Sequence, residues 1–431
     1  MRRVGLTLPT NRPCSPALRA LLDEAAYGAR EFGVEVAVLV LDSAPAAVRA
    51  EHAAALAAHP AAPGVTVHHL DEDAQRAFLA RALARAGLPD PARLLDLLLP
   101  DAVSYGACTD RAFLLAEALG CASVHRRDSD SRYQLLDGLP VFPLHQELAA
   151  LGLPAGQVAG RIGGRLKRLG PGAAELPVSL VGASFIGELS VDLAEILELD
   201  PAVHGELVGL TLPPSVPPPW REQAVKVAFR GAGSTPFTAD RPVLGQVAPS
   251  RIDMCNVALD REVYSRVPLP PAAETIGTDY FLLHVLHHAA LPGVLHNRHI
   301  VNFHTGERRT GSGRTAYHLR LSRFLLLAGC LDGIYTALAG SELLDPDGRL
   351  RPQAVAAAVR RAPDPDPERL TTVERAYRRL GPDWAPVADT LAARRAEFLA
   401  AARTDLDEFA ALIDAWPALS AAARDTALPG R

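Results

Sequence analysis

The sequence predicts an α/β fold, a sheet flanked by helices, followed by a helical C-terminal region. In the first part of the chain, short apolar segments of strand length alternate with amphipathic segments of helix length. From about residue 316 onwards, apolar residues recur only at helical spacing. Alternation of this kind implies parallel strands with helices on the faces of the sheet. We therefore expect an α/β domain over 1–315 and a helical region over 316–431.

The N-terminal part begins with a strand and a helix that have clear local signals. An apolar segment over 3–8 is typical of a strand, and a turn containing Pro and Asn follows it. Ser15 is expected to cap the next helix, with Pro16 at its first position and Gly33 at its end. The alternation continues with a strand over 34–41, a helix over 45–58, a strand over 65–70, helices over 73–86, 90–99 and 110–119, and a strand over 121–124.

The middle of the chain mixes strands with loops, and the last part is helical. We predict strand-like segments over 180–190, 255–259 and 296–304, a Pro-rich loop over 212–220, a helix over 278–290, a Gly- and Arg-rich loop over 306–314, and helices over 319–338 and 380–415. Apolar residues at helical spacing support the last two helices.

The composition argues against several classes of protein. No segment reaches the roughly 18 uninterrupted apolar residues of a membrane-spanning helix. The apolar stretch after Met1 is short, is interrupted by Pro9 and lacks a cleavage site, so we expect a cytoplasmic protein without membrane contact. A formal net charge of −5 argues against a general nucleic-acid binder. The five cysteines show neither disulfide nor zinc-ribbon spacing.

Two carboxylates, Asp128 and Asp130, directly follow the predicted strand over 121–124 and its short polar extension. Open α/β sheets bind ligands at the carboxyl ends of their strands. Two acidic groups at that edge can share a divalent cation, and the cation can hold a diphosphate. The alternative is a polar turn whose charges are solvated, because paired carboxylates are common in loops.

The surroundings of this pair carry a family resemblance. Residues 105–120, YGACTDRAFLLAEALG, combine a glycine, a polar and basic helix start, and a small-residue helix that ends in glycine. Together with Asp128-Ser129-Asp130, this segment resembles the nucleotide-sugar glycosyltransferases of the GT-A fold. Residues 8–13, LPTNRP, look like the first strand and nucleotide-binding loop of that family. The resemblance covers roughly residues 3–310.

The resemblance implies a Rossmann-like mixed sheet flanked by helices, with a C-terminal helical extension. It also implies metal-dependent transfer of a sugar from a nucleoside-diphosphate sugar of UDP or GDP type to a small-molecule acceptor. In this part of the chain, the implied donor-binding residues are Pro9, Thr10, Asn11, Arg12, Asp42, Arg111 and Asp128. The acceptor atom is left open between oxygen, nitrogen and sulfur, as are a homodimer and a role in natural-product biosynthesis.

Two later segments extend the resemblance to a base and a third metal ligand. Residues 274–281 resemble the segment where the family places an acidic residue beside the acceptor, although Thr278 stands where Glu is common. Asp279 would then act as general base in an inverting enzyme, with helix capping as the alternative. His304 corresponds to a histidine that joins the two aspartates, Asp128 and Asp130, on Mn²⁺ or Mg²⁺. A neutral imidazole favours Mn²⁺, and an ordinary polar histidine is the alternative.

The arginines after His304 are the last implied donor-binding residues. Arg308, Arg309 and Arg314 belong to a glycine-rich segment that could close over the departing diphosphate and neutralise it. A solvated surface loop is the alternative for each of them.

Three other functions compete with glycosyl transfer. His284 and His288 are spaced by four residues, and with His304 they could serve a zinc-dependent hydrolase, although the usual Glu of such a motif is missing. A sugar-phosphate nucleotidyltransferase would share the fold, but the loop over 9–13 lacks its glycines. A non-catalytic nucleotide-sugar-binding protein is the third alternative.

Overall fold

A mixed sheet of eight strands forms the centre of the computed structural model, which describes residues 1–162, 172–304, 306–309 and 311–428. In chain order, the strands of the molecule are β1 (Arg3–Thr10), β2 (Glu35–Asp42), β3 (Val65–Asp71), β4 (Ser123–Arg127), β5 (Ser131–Tyr133), β6 (Leu135–Leu136), β7 (Leu139–Pro140), β8 (Leu180–Gly182), β9 (Phe185–Gly187), β10 (Val243–Gln246), β11 (Asn256–Asp260), β12 (Pro292–Leu295) and β13 (Ile300–Asn302).

Helices cover the sheet and form most of the C-terminal part. They are α1 (Ser15–Phe32), α2 (Ala46–Ala57), α3 (Glu72–Ala86), α4 (Pro91–Leu98), α5 (Tyr105–Ala118), α6 (Leu144–Ala150), α7 (Ala155–Ala159), α8 (Ala194–Leu199), α9 (Pro201–Gly209), α10 (Pro218–Val227), α11 (Arg261–Tyr264), α12 (Phe281–His288), α13 (Gly311–Ala339), α14 (Pro352–Arg360), α15 (Pro367–Arg379), α16 (Ala385–Ala393) and α17 (Arg395–Arg424). Single 3₁₀ turns occur at Pro249–Arg251, Thr278–Tyr280, Gly306–Arg309 and Pro382–Trp384.

The sheet has the strand order β10-β12-β8-β11-β4-β1-β2-β3. Strands β3, β2, β1 and β4 run parallel, and β11 lies antiparallel between β4 and β8. The predicted α/β class, a mixed sheet flanked by helices, is therefore confirmed. The carboxyl ends of β1, β2 and β4 meet at one edge, which places Thr10 beside Asp42 and brings the turn after β4 next to the loop after β1.

Helix α1 shows how local sequence produces this architecture. Its residues Leu18, Leu21, Leu22 and Ala25 are buried in one core with the valines of β2. Gly33 ends the helix with φ of 60°, a left-handed conformation that glycine adopts without steric cost. Cys14, and not the expected Ser15, occupies the cap position, because the helix already includes Ser15.

The C-terminal helices share a core with the sheet. Cys330, Ile334 and Trp416 belong to the same buried cluster as Leu39 of β2 and Phe113 of α5. The expected boundary at 315/316 falls inside α13, which begins at Gly311, so Arg314 lies in a helix and not in the predicted loop. By length and composition α13 could cross a membrane, and half of its most apolar window is buried inside the fold.

Two predicted elements near the site are shorter than expected. Of the strand predicted over 296–304, only Ile300–Asn302 forms β13, which pairs with β5 and β9 in a separate three-stranded sheet. The helix predicted over 278–290 begins as a 3₁₀ turn at Thr278–Tyr280 and becomes α-helical at Phe281. Asp279 does not cap this helix, because its carboxylate pairs with an arginine of β4.

Candidate active site

The turn after β4 and the loop after β1 are joined by an ion pair. Nη1 of Arg12 lies 3.3 Å from Oδ2 of Asp130, and both side chains are mostly shielded from solvent. The Oγ of Ser131 donates to the carbonyl of Asp128 at 2.8 Å and closes the turn. Two parts of the predicted donor site thus lie together at the carboxyl edge of the sheet. Pro9 and Thr10 end β1, and Asn11 is exposed in the loop that follows.

Arg126 of β4 connects the predicted metal ligands to the predicted base. Its guanidinium donates from Nη1 to Asp279 at 2.7 Å and lies 3.2 Å from Asp128 through Nη2. Arg126 is buried, and its Nε has no hydrogen-bond partner among the described residues. Arg126 was not among the residues predicted from the sequence. The sequence contains two consecutive arginines at the end of a strand that is predicted to be buried. Because a buried arginine requires acidic partners, this pattern could have pointed to Arg126.

Arg127, on the opposite face of β4, belongs to a separate network inside the protein. It donates to Glu24 and Glu147, each at 2.9 Å, and Nδ1 of His125 lies 2.8 Å from Glu147. Burial opposes ionisation of Glu147, yet Arg127 and His125 lower its pKa to about 2. Burial lowers the pKa of His125, so this imidazole is neutral, with Nδ1–H donating to Glu147. The network holds β4 in place from beneath the site.

Among the side chains that the structure describes, the site carries more negative than positive charge. Asp253, which accepts a hydrogen bond from Tyr280, adds a fourth carboxylate near Asp128, Asp130 and Asp279. Four carboxylates against the guanidinium groups of Arg12 and Arg126 give a formal charge of −2. Burial raises the pKa of Asp128 to about 6; Arg126 opposes this shift and the other three carboxylates add to it. Oxygen donors with this excess charge fit a hard divalent cation.

The predicted third ligand, His304, is brought towards this turn by the small sheet. In β13, Asn302 pairs with Ser131, and the next amide, that of Phe303, donates to the carbonyl of Asp130 at 3.4 Å. Across the described ranges, however, the donor atoms of Asp128, Asp130 and His304 are not gathered within 4.8 Å of one another. The two aspartates fit a cation by their chemistry, and His304 as the third ligand stays a prediction.

Asp42, His52 and His69 are the three groups whose donor atoms do lie within 4.8 Å in the described part of the chain. Oδ2 of Asp42 lies 2.7 Å from Nδ1 of His52 and 2.8 Å from Nε2 of His69. The amide of Cys14 donates to Nε2 of His52 at 3.0 Å, so the proton of this imidazole is on Nδ1. His52 therefore donates to Asp42, and this nitrogen has no lone pair for a metal.

This hydrogen-bonded group changes the role expected for Asp42. Its side chain is fully buried, and its second oxygen accepts from the amide of Ala44 at 3.0 Å. With both oxygens engaged inside the fold, Asp42 is not placed to contact a nucleoside directly. Instead, His52 connects it to Cys14 at the end of the β1–α1 loop, and Thr10 accepts from the amide of Arg12 at 3.3 Å within that loop.

Arg111 is also engaged inside the fold. It lies in the middle of α5, whose first turn is capped by Ser104, and not at the helix start as expected. Its guanidinium donates to the side chain of Gln75 and to the carbonyl of Leu98, both at 2.6 Å. These bonds attach α5 to α3 and α4, and they engage the buried guanidinium of Arg111 inside the fold.

The predicted arginines after His304 face acidic residues near α8. Arg309 donates to Asp192 at 2.8 Å, and Arg314 lies 3.3 Å from Glu195 and over the ring of Trp384. The side chain of Arg308 lies outside the described residues. Arg309 and Arg314 thus line a pocket together with Asp192 and Glu195.

The histidines of the zinc-hydrolase alternative are dispersed. His284 stacks on Tyr335 with ring centroids 3.8 Å apart, and burial lowers its pKa to about 4. No set of three metal-ligand atoms within 4.8 Å includes His284 or His288 among the residues that the structure describes. The geometry therefore does not favour this alternative.

The solved structures that are similar to this chain include the following two. The crystal structure of glucosyl-3-phosphoglycerate synthase from Mycobacterium tuberculosis in complex with UDP is 16% identical, with 76% of this chain and 80% of that chain covered and a TM-score of 0.36. A crystal structure described as a mycobacterial protein is 16% identical, with 76% and 74% covered and a TM-score of 0.35.

The sequence was also compared with curated proteins and with protein-family profiles. No curated protein matches the chain. The profile described as a family of unknown function (DUF6271) matches residues 2–430, and the chain therefore belongs to that family.

Proposed function

We propose that the protein is a metal-dependent glycosyltransferase that moves a sugar from a nucleoside-diphosphate sugar to a small-molecule acceptor. The observation that carries this proposal is the position of Arg126, which contacts Asp128 at 3.2 Å and Asp279 at 2.7 Å. It links an acidic turn suited to a metal–diphosphate with a carboxylate suited to activate an acceptor. This linkage lies at the strand edge where α/β folds bind their ligands.

In this proposal the diphosphate of the donor binds between the turn after β4 and the β1–α1 loop. Asp128 and Asp130 hold Mn²⁺ or Mg²⁺, which when bound neutralises the charge of the departing nucleoside diphosphate. Arg12, 3.3 Å from Asp130, exchanges this partner for a phosphate oxygen. Guanidinium and phosphate form the planar, charge-assisted contacts for which arginine is better suited than lysine.

Asp279 acts on the acceptor. Its carboxylate is buried, and Arg126 fixes the position of one of its oxygens. The other oxygen can accept a proton from an acceptor hydroxyl, amine or thiol as the bond to the anomeric carbon forms. In an inverting reaction this proton transfer makes Asp279 the general base.

The decisive test is nucleotide binding by the Asp130→Asn variant. Titration calorimetry on the full chain with UDP and with GDP, each with and without MnCl₂, should show metal-dependent binding of one nucleotide. Loss of a carboxylate ligand should weaken that binding at least about tenfold, in line with the cost of disturbing a metal site. Asp137→Asn is the matched control, because Asp137 lies in a nearby turn with φ of 52° that asparagine also accepts.

Two results would contradict the proposal. One is nucleotide binding that is unchanged in Asp130→Asn. The other is stabilisation of the wild-type chain by ZnCl₂ alone with no response to any nucleotide, which would favour the zinc-hydrolase alternative. Release of UDP or GDP from the matching sugar nucleotide, lost in Asp279→Asn while nucleotide affinity is kept, would assign the chemistry to Asp279.

A further inference from the structure

A cavity lies between α8 and the first turns of α13. Its volume is about 210 Å³, and we call it the α8–α13 pocket. The residues that line it and carry polar groups are Asp192, Glu195, Glu198, Arg309, Arg314 and His318. Pockets for drug-sized ligands occupy roughly 300–1,000 Å³, so this pocket is suited to a single small ring.

A buried histidine forms the inner wall of the α8–α13 pocket. His318 is only 4% exposed, and its Nδ1 lies 3.0 Å from the hydroxyl of Tyr377. No residue in the described ranges forms a hydrogen bond with Nε2, which is therefore the ring atom available to a ligand. Burial lowers the pKa of His318 to about 3, so the ring is neutral and can exchange one hydrogen bond with a hydroxyl group.

The charges of the pocket favour a ligand without acidic groups. Arg309 is paired with Asp192 at 2.8 Å, and Arg314 with Glu195 at 3.3 Å. Glu198 has no ion-pair partner in the part of the chain that the structure describes. With both arginines paired, the unmatched charge is that of Glu198, and a phosphate or carboxylate ligand would meet a negative wall. Carboxylates and guanidinium groups together offer acceptors and donors to a ring rich in hydroxyl groups.

Two chains of contacts connect the α8–α13 pocket to the carboxylate site. Glu188 accepts a hydrogen bond from the amide of His304, and its other oxygen lies 3.5 Å from Arg309. The second link is α13. Gly277, two residues before Asp279, packs closely against Phe324 of α13, because a Cβ atom added to Gly277 would lie 2.7 Å from that ring. Phe324 is six residues from His318, about 9 Å along the helix axis at the usual helical rise.

We propose that the α8–α13 pocket binds the acceptor, and that this acceptor is a small hydroxyl-rich ring, neutral or bearing an amine, such as a sugar or cyclitol. This inference rests on the proposed function, because it assigns the acceptor side of the same site. His318 orients one hydroxyl through Nε2, and Glu198 attracts an amine or accepts from a further hydroxyl.

The test uses three sugars that share one ring and differ in charge: D-glucose, D-glucosamine and D-glucose 6-phosphate. Binding to the full chain without nucleotide is measured by saturation-transfer NMR titration. We expect D-glucosamine to bind at least as tightly as D-glucose, and D-glucose 6-phosphate to bind more weakly than either. Glu198→Gln should weaken D-glucosamine binding about threefold to tenfold, the range for one hydrogen bond of ordinary strength at an exposed side chain. His318→Phe should weaken binding of both unphosphorylated sugars by a similar factor.

The controls separate loss of the pocket from loss of the fold. Glu342→Gln removes the same charge at a side chain that is 85% exposed, far along the chain from the pocket, and should change no affinity. Thermal unfolding shows whether the His318→Phe variant is still folded. Glu198→Gln provides an independent test, because the side chain of Glu198 is exposed and its replacement should not disturb the fold. Affinities unchanged in both pocket variants, tighter binding of the phosphate, or binding of none of the three sugars would each overturn the assignment.

Nucleotide titration distinguishes this inference from the proposed function. Both pocket variants should bind UDP or GDP with MnCl₂ as the wild type does. If they lose the nucleotide together with the sugar, the pocket belongs to the donor and the assignment fails. If the wild type binds the sugars but no nucleotide, the proposed function fails while the sugar-binding pocket stands.

Discussion

Two adjacent arginines in β4 point to opposite faces of the strand and contact different sets of carboxylates. Arg126 points towards Asp128 and Asp279, and Arg127 points the other way, towards Glu24 and Glu147. Each is buried, and a buried charge costs several kcal/mol unless its partners are well placed. Arg127 contacts two carboxylates inside the protein, whereas Arg126 contacts carboxylates at the carboxyl edge of the sheet. We therefore assign Arg127 to the scaffold and Arg126 to the site.

Asp42 allows a prediction about pH at the same scale. Burial opposes its ionisation, but hydrogen bonds from His69, His52 and the amide of Ala44 lower its pKa from 3.8 to about 2. A folded-state pKa below the unfolded value contributes stability above pH 3.8, and this contribution is lost as the pH falls through about 2. At pH 7 the contribution should be about 2–3 kcal/mol, given ~1.4 kcal/mol for each pKa unit.

Urea unfolding of Asp42→Asn against the wild type, repeated from pH 7 downwards, measures this contribution. The difference in free energy of unfolding should be constant at neutral pH and should narrow below pH 3.8. The exposed Asp137→Asn variant should show almost no difference at any pH. A difference for Asp42→Asn that grows towards low pH would contradict the assignment.

At the scale of elements, the sequence predicted those features that depend on residues close together in the chain. The strand–helix alternation up to β4, the left-handed Gly33 and the Asp128–Asp130 turn could all be anticipated from neighbouring residues. The antiparallel insertion of β11 beside β4 could not, because a strand segment does not specify its partner. The same holds for the pairing of Arg12 with Asp130, separated by 118 positions, and for the burial of Arg111 against α3 and α4.

The docking of α5 gives a prediction at this scale. A Cβ at Gly106 would lie 1.9 Å from the carbonyl oxygen of Pro270, so α5 contacts this backbone closely. The amide of Leu269 also donates to Asp110 of α5 at 2.8 Å. Gly106→Ala should therefore force apart α5 and the segment that leads to Asp279, and should cost about 1–3 kcal/mol, as overpacking usually does.

Chemical unfolding and nucleotide titration would measure the effect of Gly106→Ala. Gly205→Ala is the matched control in α9, where an added Cβ meets no atom within 4 Å. That control should be neutral or stabilising by up to about 1 kcal/mol, because alanine favours a helix over glycine. Equal stability of the two variants would show that α5 and the backbone at Pro270 can move apart without loss of stability.

At the scale of the whole molecule, the carboxylate site and the C-terminal helices depend on one core. Helix α17 packs against α3 and α5, and Nε1 of Trp416 donates to the carbonyl of Tyr264 at 2.9 Å. Arg424, near the end of α17, contacts Glu117 of α5 at 3.0 Å. Because α5 also supports the segment leading to Asp279, the helices after residue 315 contribute to the geometry of the site.

Trp416→Ala tests whether the two regions unfold together. The tryptophan is fully buried in the cluster that joins β2, α5 and α14, so its loss should lower the free energy of unfolding by about 3–5 kcal/mol. If the core is shared, far-ultraviolet circular dichroism and tryptophan fluorescence should report one coincident urea transition in the variant as in the wild type. Two separated transitions, with nucleotide binding kept after the first, would instead show that the C-terminal helices fold independently of the carboxylate site.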